Sequence, residues 1–271
     1  MTGTLLSNRL DAVLATTREH HALALLMYLT AGYPDVPTTR RWAGILAASG
    51  ATILELGVPF SDPIGDGPTI QRASQHALAA GMSLRGSLAL AADIGRSVAT
   101  PLVLMSYCNP ILRMGTGTFA EQAAAAGVTG VIVPDLPIEE AADLRSHLQR
   151  AQVHLIYLLS PASTPERIAR TAAEASGFIY CMALTGVTGA RADLADALPD
   201  FLQRVRSLTD VPLVVGFGVS RPEHIRRLVP LADGAVVASA LIDLIDRTAS
   251  EARDTAIMDF VKELSTACSG S

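Results

Sequence analysis

The sequence predicts an α/β fold, a single (β/α)8 TIM barrel with parallel strands that takes in residues 1–271. Three observations carry this expectation. Eight β-rich apolar runs recur at start-to-start spacings of 22 to 50 residues, with helix-like segments between most of them. Continuous apolar runs of this kind mark strands buried on both faces, as in a parallel sheet. The length of 271 residues suits one such barrel, which takes about 250. Finally, no linker, low-complexity tract or charge block offers a domain boundary. An open doubly wound sheet is the competitor, but it more often has fewer strands.

In chain order the runs are LALLMYL from Leu23, ATILELG from Ala51, PLVLMSY from Pro101 and GVIVPD from Gly130. They continue as VHLIYLLS from Val153, GFIYCMAL from Gly177, PLVVGFG from Pro212 and GAVVASAL from Gly234. The intervening TTRRWAGILAASG, FAEQAAAAGV, PIEEAADLRSHLQRA and PERIARTAAEAS space their apolar residues as helices do. Ser163-Thr164-Pro165-Glu166 and Ser220-Arg221-Pro222-Glu223 each set a hydroxyl cap ahead of a first-turn proline, an expected helix start.

Composition removes several function classes. Hydrophobic residues make up 49% and charged residues 17%, which excludes wholesale disorder. A net charge of −5 with no basic stripe argues against nucleic acid. Lys262 is the single lysine, in a polar stretch that reads as the end of a surface helix, so imine-forming aldolase chemistry has no suitable residue. The six histidines form no HxxxH or HxH with a carboxylate at a strand end, so no metal is expected. No GxGxxG follows the first strand, against a dinucleotide enzyme. Cys108, Cys181 and Cys268 are odd in number and far apart, as expected of reduced thiols. The apolar run Ala22–Leu29 falls short of the roughly 20 residues that span a bilayer, so no membrane and a cytoplasmic location are expected.

In a (β/α)8 barrel the chemistry sits at the C-terminal strand ends. Glu55 stands inside the second apolar run, a costly place for a carboxylate without partners. Desolvation there would raise its pKa and let it donate and accept a proton near neutrality. Alone, such a glutamate fits a structural pair with arginine equally well. Asp66 follows between Gly65 and Gly67, after Ser61-Asp62-Pro63. Plain turn chemistry uses the same residues, but a buried carboxylate running directly into this loop suggests proton transfer or recognition of a donor group. A second constellation closes the late strands: Thr185 to Arg191, Gly216 to Ser220, and Ala238-Ser239-Ala240. Glycines there admit an anion to backbone N–H groups, as for a phosphorylated substrate.

At LELGVPFSDPIGDGPTIQRAS, from Leu54, the chain resembles the tryptophan synthase alpha chain family. The resemblance extends through YLTAGYPD at Tyr28, SYCNPILRMG at Ser106, VPDLPIEE at Val133, TGVTGAR at Thr185, VGFGVS at Val215 and ASALI at Ala238. It implies a carbon–carbon lyase cleaving indole-3-glycerol phosphate to indole and glyceraldehyde 3-phosphate, with no cofactor of its own. Glu55 then matches the family's proton-shuttling glutamate and Asp66 the aspartate that meets the indole N–H. Gly189, Gly218 and Ser239 match phosphate-cradling positions; Tyr180, Thr188 and Phe217 match positions around the substrate or its closing loop. The loops at Asp62-Pro63 and Asn109-Pro110 match surfaces facing a pyridoxal-phosphate-dependent β subunit, in an α2β2 complex. Three residues depart from the family pattern: Ala183 for serine, Ala238 for glycine at the phosphate site, and Gly65 for a residue with a side chain. A stand-alone lyase releasing indole to another pathway and a degenerate, non-catalytic partner of a β subunit are the alternatives.

Overall fold

The computed structural model describes residues 7–182, 191–216 and 218–269. Its strands are β1 (Ala24–Thr30), β2 (Ile53–Gly57), β3 (Leu102–Met105), β4 (Val128–Ile132), β5 (His154–Leu159), β6 (Ile179–Met182), β7 (Leu213–Gly216) and β8 (Gly234–Val237). Each pairs in parallel with the next, and β1 also pairs with β8, so the sheet closes into the expected barrel. Helices follow the strands. α1 (Arg9–Glu19) precedes the first, and α2 (Val36–Ala48) links β1 to β2. The 50-residue interval between the second and third apolar runs holds two helices, α3 (Pro68–Ala79) and α4 (Leu84–Ser97). α5 (Cys108–Met114) and α6 (Thr116–Ala125) follow β3; α7 (Ala142–Arg150) follows β4; α8 (Pro165–Glu174) follows β5. The rest are α9 (Arg191–Arg206), α10 (Pro222–Leu228), α11 (Ser239–Arg247) and α12 (Arg253–Ala267).

Helix starts follow local chemistry. The Asp35 carboxylate accepts the Thr38 N–H at 2.7 Å ahead of α2, and the Thr164 hydroxyl accepts the Arg167 N–H ahead of α8, as expected. The second expected cap is corrected: α10 starts after Arg221 with no side-chain cap, leaving Ser220 one residue too early. The Ser220 N–H instead donates to His224 Nδ1 at 3.3 Å.

The strand period of two sorts the core into layers. Ala24, Leu26, Ile53, Val103, Ile156 and Val214 share the barrel interior, whereas Leu25, Met27, Leu54 and Leu104 belong to the layer between strands and helices. Because Ile53 points inward, so does Glu55 two residues on. α1 closes the N-terminal mouth, with Leu10 and Leu14 buried in the interior layer. Among the described residues no single helix is long and apolar enough to cross a membrane.

Candidate active site

The C-terminal mouth of the barrel opens into a cavity of about 420 Å³. Glu55 from β2, Asp66 from the loop before α3, Tyr180 from β6, Gly218 after β7, and Ala238 and Ser239 at the start of α11 all line it. Six residues singled out from sequence therefore meet in one place. The other three, Thr188, Gly189 and Phe217, lie outside the described residues, as does Ala183.

Glu55 is 2% exposed, and its Oε2 has no hydrogen-bond partner. A carboxylate so stripped of water and donors favours its neutral form. Burial, and secondly the charge of Asp66, push its pKa up to about 8. Asp66 is raised less, to about 6: burial raises it, and the Tyr107 hydroxyl beside it opposes that rise. Near pH 7 the pair is thus one protonated and one ionised carboxyl, an arrangement able to give up a proton and to meet a positive charge.

Two tyrosines complete the walls. Tyr28 of β1 sits in register with Glu55 of β2, and Tyr180 lies across the cavity. Each ring lies over a glycine of the neighbouring strand, Gly57 and Gly216 respectively, where any side chain would collide with it. Burial raises both hydroxyls well above the usual tyrosine range, so both stay protonated. Sequence reading missed Tyr28, although its parity with Ala24 and Leu26 puts it inward. It missed Tyr107 too, two residues past β3, where an aromatic at the end of a buried strand is the signal.

At the end of β8, beside β1, the first turn of α11 begins at Ser239, and its N-cap residue, Ala238, makes no side-chain cap hydrogen bond. The leading N–H groups of a helix left uncapped beside a cavity suit an anion. A larger cavity, about 790 Å³, opens at the other end of the barrel between α1, α9 and the approach to β8. Its arginines, Arg18 and Arg206, are turned onto Asp233, so its charge is spent internally.

The family model of the tryptophan synthase alpha chain matches residues 14–268. The chain is 46% identical over 258 residues to the tryptophan synthase alpha chain of Chloroflexus aggregans, covering 95% of this chain and 97% of that one. It is 48% identical over 242 residues to that of Roseiflexus castenholzii, covering 89% and 93%. Among solved structures, Mycobacterium tuberculosis tryptophan synthase matches with a TM-score of 0.90 at 37% identity, over 98% of this chain and 100% of that chain. The alpha chain from Legionella pneumophila matches with a TM-score of 0.86 at 33% identity, over 97% of each. Sequence and barrel agree over almost the whole length, and with a cavity that gathers Glu55 and Asp66 they place this chain in the tryptophan synthase alpha chain family.

Proposed function

We propose that Glu55 and Asp66 carry the reaction of this α chain, the cleavage of indole-3-glycerol phosphate to indole and glyceraldehyde 3-phosphate in tryptophan biosynthesis. The observation that bears most weight is the buried Glu55 carboxyl, unpartnered at Oε2 and facing a cavity it shares with Asp66. Protonated near neutrality, Glu55 delivers its proton to ring C3 of the indole. The positive charge that then develops at N1 is met by the ionised Asp66. Glu55, now a carboxylate, takes the proton of the glycerol hydroxyl. The carbon–carbon bond breaks, its electron pair returns to the ring, and the aldehyde leaves.

The phosphate is assigned to Gly218, Ala238 and Ser239, together with Gly189; Tyr180, Thr188 and Phe217 are assigned to the rest of the substrate. The Ala238 backbone N–H still donates despite its methyl. The β subunit, which brings its own pyridoxal phosphate, is assigned to the loops after β2 and β3 in a cytoplasmic α2β2 complex. Asn109-Pro110, expected on a loop, lies in α5; support comes from Ile64 on the loop after β2 and Leu112 on α5, apolar residues 83% and 63% exposed.

Indole release by the purified chain, with and without a β subunit, tests the reading. Glu55→Gln is expected to lower kcat by about 10³-fold while substrate still binds; full activity in that variant would refute the proton-shuttle role. The pH profile should be bell-shaped. Activity rises as Asp66 ionises near 6 and falls as Glu55 loses its proton near 8, the two limbs belonging to the coupled pair. Asp66→Asn should remove most of the rate and flatten the acid limb; a retained limb would mean another group titrates there.

A further inference from the structure

We propose that Tyr107 is a positioning residue whose hydroxyl holds the Gly65-Asp66-Gly67 turn, a task that falls to it because position 65 carries no side chain. This rests on the role given to Asp66 above. The tyrosine is itself firmly placed. It is 2% exposed, sits immediately before α5, and stacks on Phe60 with ring centroids 5.1 Å apart. Its hydroxyl accepts the Gly65 N–H at 3.1 Å.

The loop has few other anchors among the described residues. Within itself, the Ile64 N–H donates to the Asp62 carbonyl at 2.9 Å and the Asp66 N–H to the Pro63 carbonyl at 3.0 Å. Beyond Asp66, Gln71 Nε2 donates to the Asp66 carbonyl at 2.9 Å. Ahead of Asp66, the side chain of Ile64 is exposed and gives the loop little packing within this chain. An aspartate between two glycines has the most conformational freedom to lose, so each fixed hydrogen bond on either side matters to where its carboxyl stands.

The space around Gly65 shows why the two positions are linked. Gly65 does not adopt a left-handed conformation, so alanine is permitted by its backbone. A Cβ there would lie 3.3 Å from Tyr107 Oη and 3.4 Å from the Pro134 Cβ. A β-methyl at position 65 would therefore press on the tyrosine hydroxyl, which must give by a few tenths of an ångström to admit it. Hydroxyl and methyl are alternative ways to limit this turn, and this chain uses the hydroxyl. At Gly67 nothing lies within 4 Å of such a Cβ, so the linkage is particular to position 65.

Steady-state cleavage of indole-3-glycerol phosphate with the β subunit present, together with urea midpoints, tests this in wild type, Tyr107→Phe, Gly65→Ala, the double variant and Asp66→Asn. Phenylalanine keeps the stack on Phe60, so the Tyr107→Phe midpoint should not move. Its kcat should fall about five- to tenfold with KM changed less than about twofold, because Asp66 acts mainly as charge develops. Gly65→Ala alone should also lower kcat by crowding the hydroxyl. Added to Tyr107→Phe it should restore kcat at least about threefold, a non-additivity expected only of groups in contact. Wild-type kcat in Tyr107→Phe, or equal loss in both backgrounds at position 65, would overturn the proposal. So would a fall in midpoint without change in kcat. Wild-type turnover in Asp66→Asn would instead overturn the assignment of Asp66, leaving the two failures distinguishable.

Discussion

The two mouths of the barrel treat buried carboxylates in opposite ways. At the C-terminal mouth, Glu55 has an oxygen with no donor at all, and burial lifts it to about 8 and Asp66 to about 6. At the N-terminal mouth, burial pushes Asp11 and Asp233 upward too, yet both end below the ordinary aspartate value. Donors make the difference. Asp11 accepts from His154 Nε2 at 2.8 Å and from the Asn8 N–H at 2.7 Å. Asp233 accepts from Arg18 at 3.0 Å, from the Leu213 N–H at 2.7 Å, and from Arg206. Burial alone thus decides neither the charge state nor the purpose of a carboxyl; the supply of hydrogen-bond donors does. One end gives its carboxylates donors that tie helix to strand, and the other leaves Glu55 with none at Oε2, so that its carboxyl favours the neutral form.

Asp233→Asn should break the N-terminal end most severely. Its carboxylate joins α1, α9 and the start of β7 while its side chain is only 12% exposed. The arginines are 44% and 35% exposed, so water screens part of the pairing. A loss of about 3 kcal/mol is expected from the urea midpoint at pH 7, with kcat at saturating substrate unchanged. The sign follows from the lowered pKa: this stability is present at neutral pH and is lost as pH falls through that value. An unmoved midpoint would erase the contrast between the two ends.

Glu55→Gln should shift stability the other way. A carboxyl held at about 8 against an ordinary value of 4.5 binds its proton more tightly when folded. Its contribution to folding is therefore full below pH 4.5 and is progressively lost up to pH 8. The glutamine never ionises, although its buried amide remains poorly partnered and offsets part of the gain. The inactive variant is expected to be about 2 kcal/mol more stable than wild type at pH 8, the difference closing at pH 4. Equal stability at both pH values would show that Glu55 is not stripped of solvent as described. Such a gain is what a site built against stability would give.

How much of this was legible beforehand differs by region. The eight strands were, because runs such as Leu23 to Leu29 are too apolar to lie anywhere but inside a two-sided sheet. Glu55 was legible for the same reason, as a charge interrupting such a run. Tyr28 was overlooked because an aromatic in an apolar run looks like any core residue until parity and register set it beside Glu55. Tyr107 carries only the general signal of an aromatic at the end of a buried strand; its contact with Gly65 is made 42 residues away in sequence, and no local pattern encodes that partner. The misplaced cap at Ser220 has a similar cause, since the choice between Ser220 and Arg221 as the last non-helical residue is made by tertiary packing. The paired carboxylates of the N-terminal mouth were invisible altogether: Asp11 and His154 are 143 residues apart, and neither looks unusual in its own segment.

That last pair supplies the smallest and sharpest test of the contrast. Asp11 also belongs to the capping box of α1, accepting the Asn8 N–H through the same oxygen that accepts from His154. Asparagine keeps an acceptor for either donor and loses only the charge, so Asp11→Asn should cost about 1 kcal/mol at pH 7. His154 is fully buried, with its other ring nitrogen unpartnered, and cannot compensate by turning to water. Because Asp11 sits below the ordinary aspartate value, the gap between variant and wild type should narrow as pH falls through that lowered value. Urea midpoints across the acid range would read this directly. A gap that stays constant into acid would mean that shape at the α1 plug matters and charge does not, and the donor-based distinction between the two mouths would then rest on Asp233 alone.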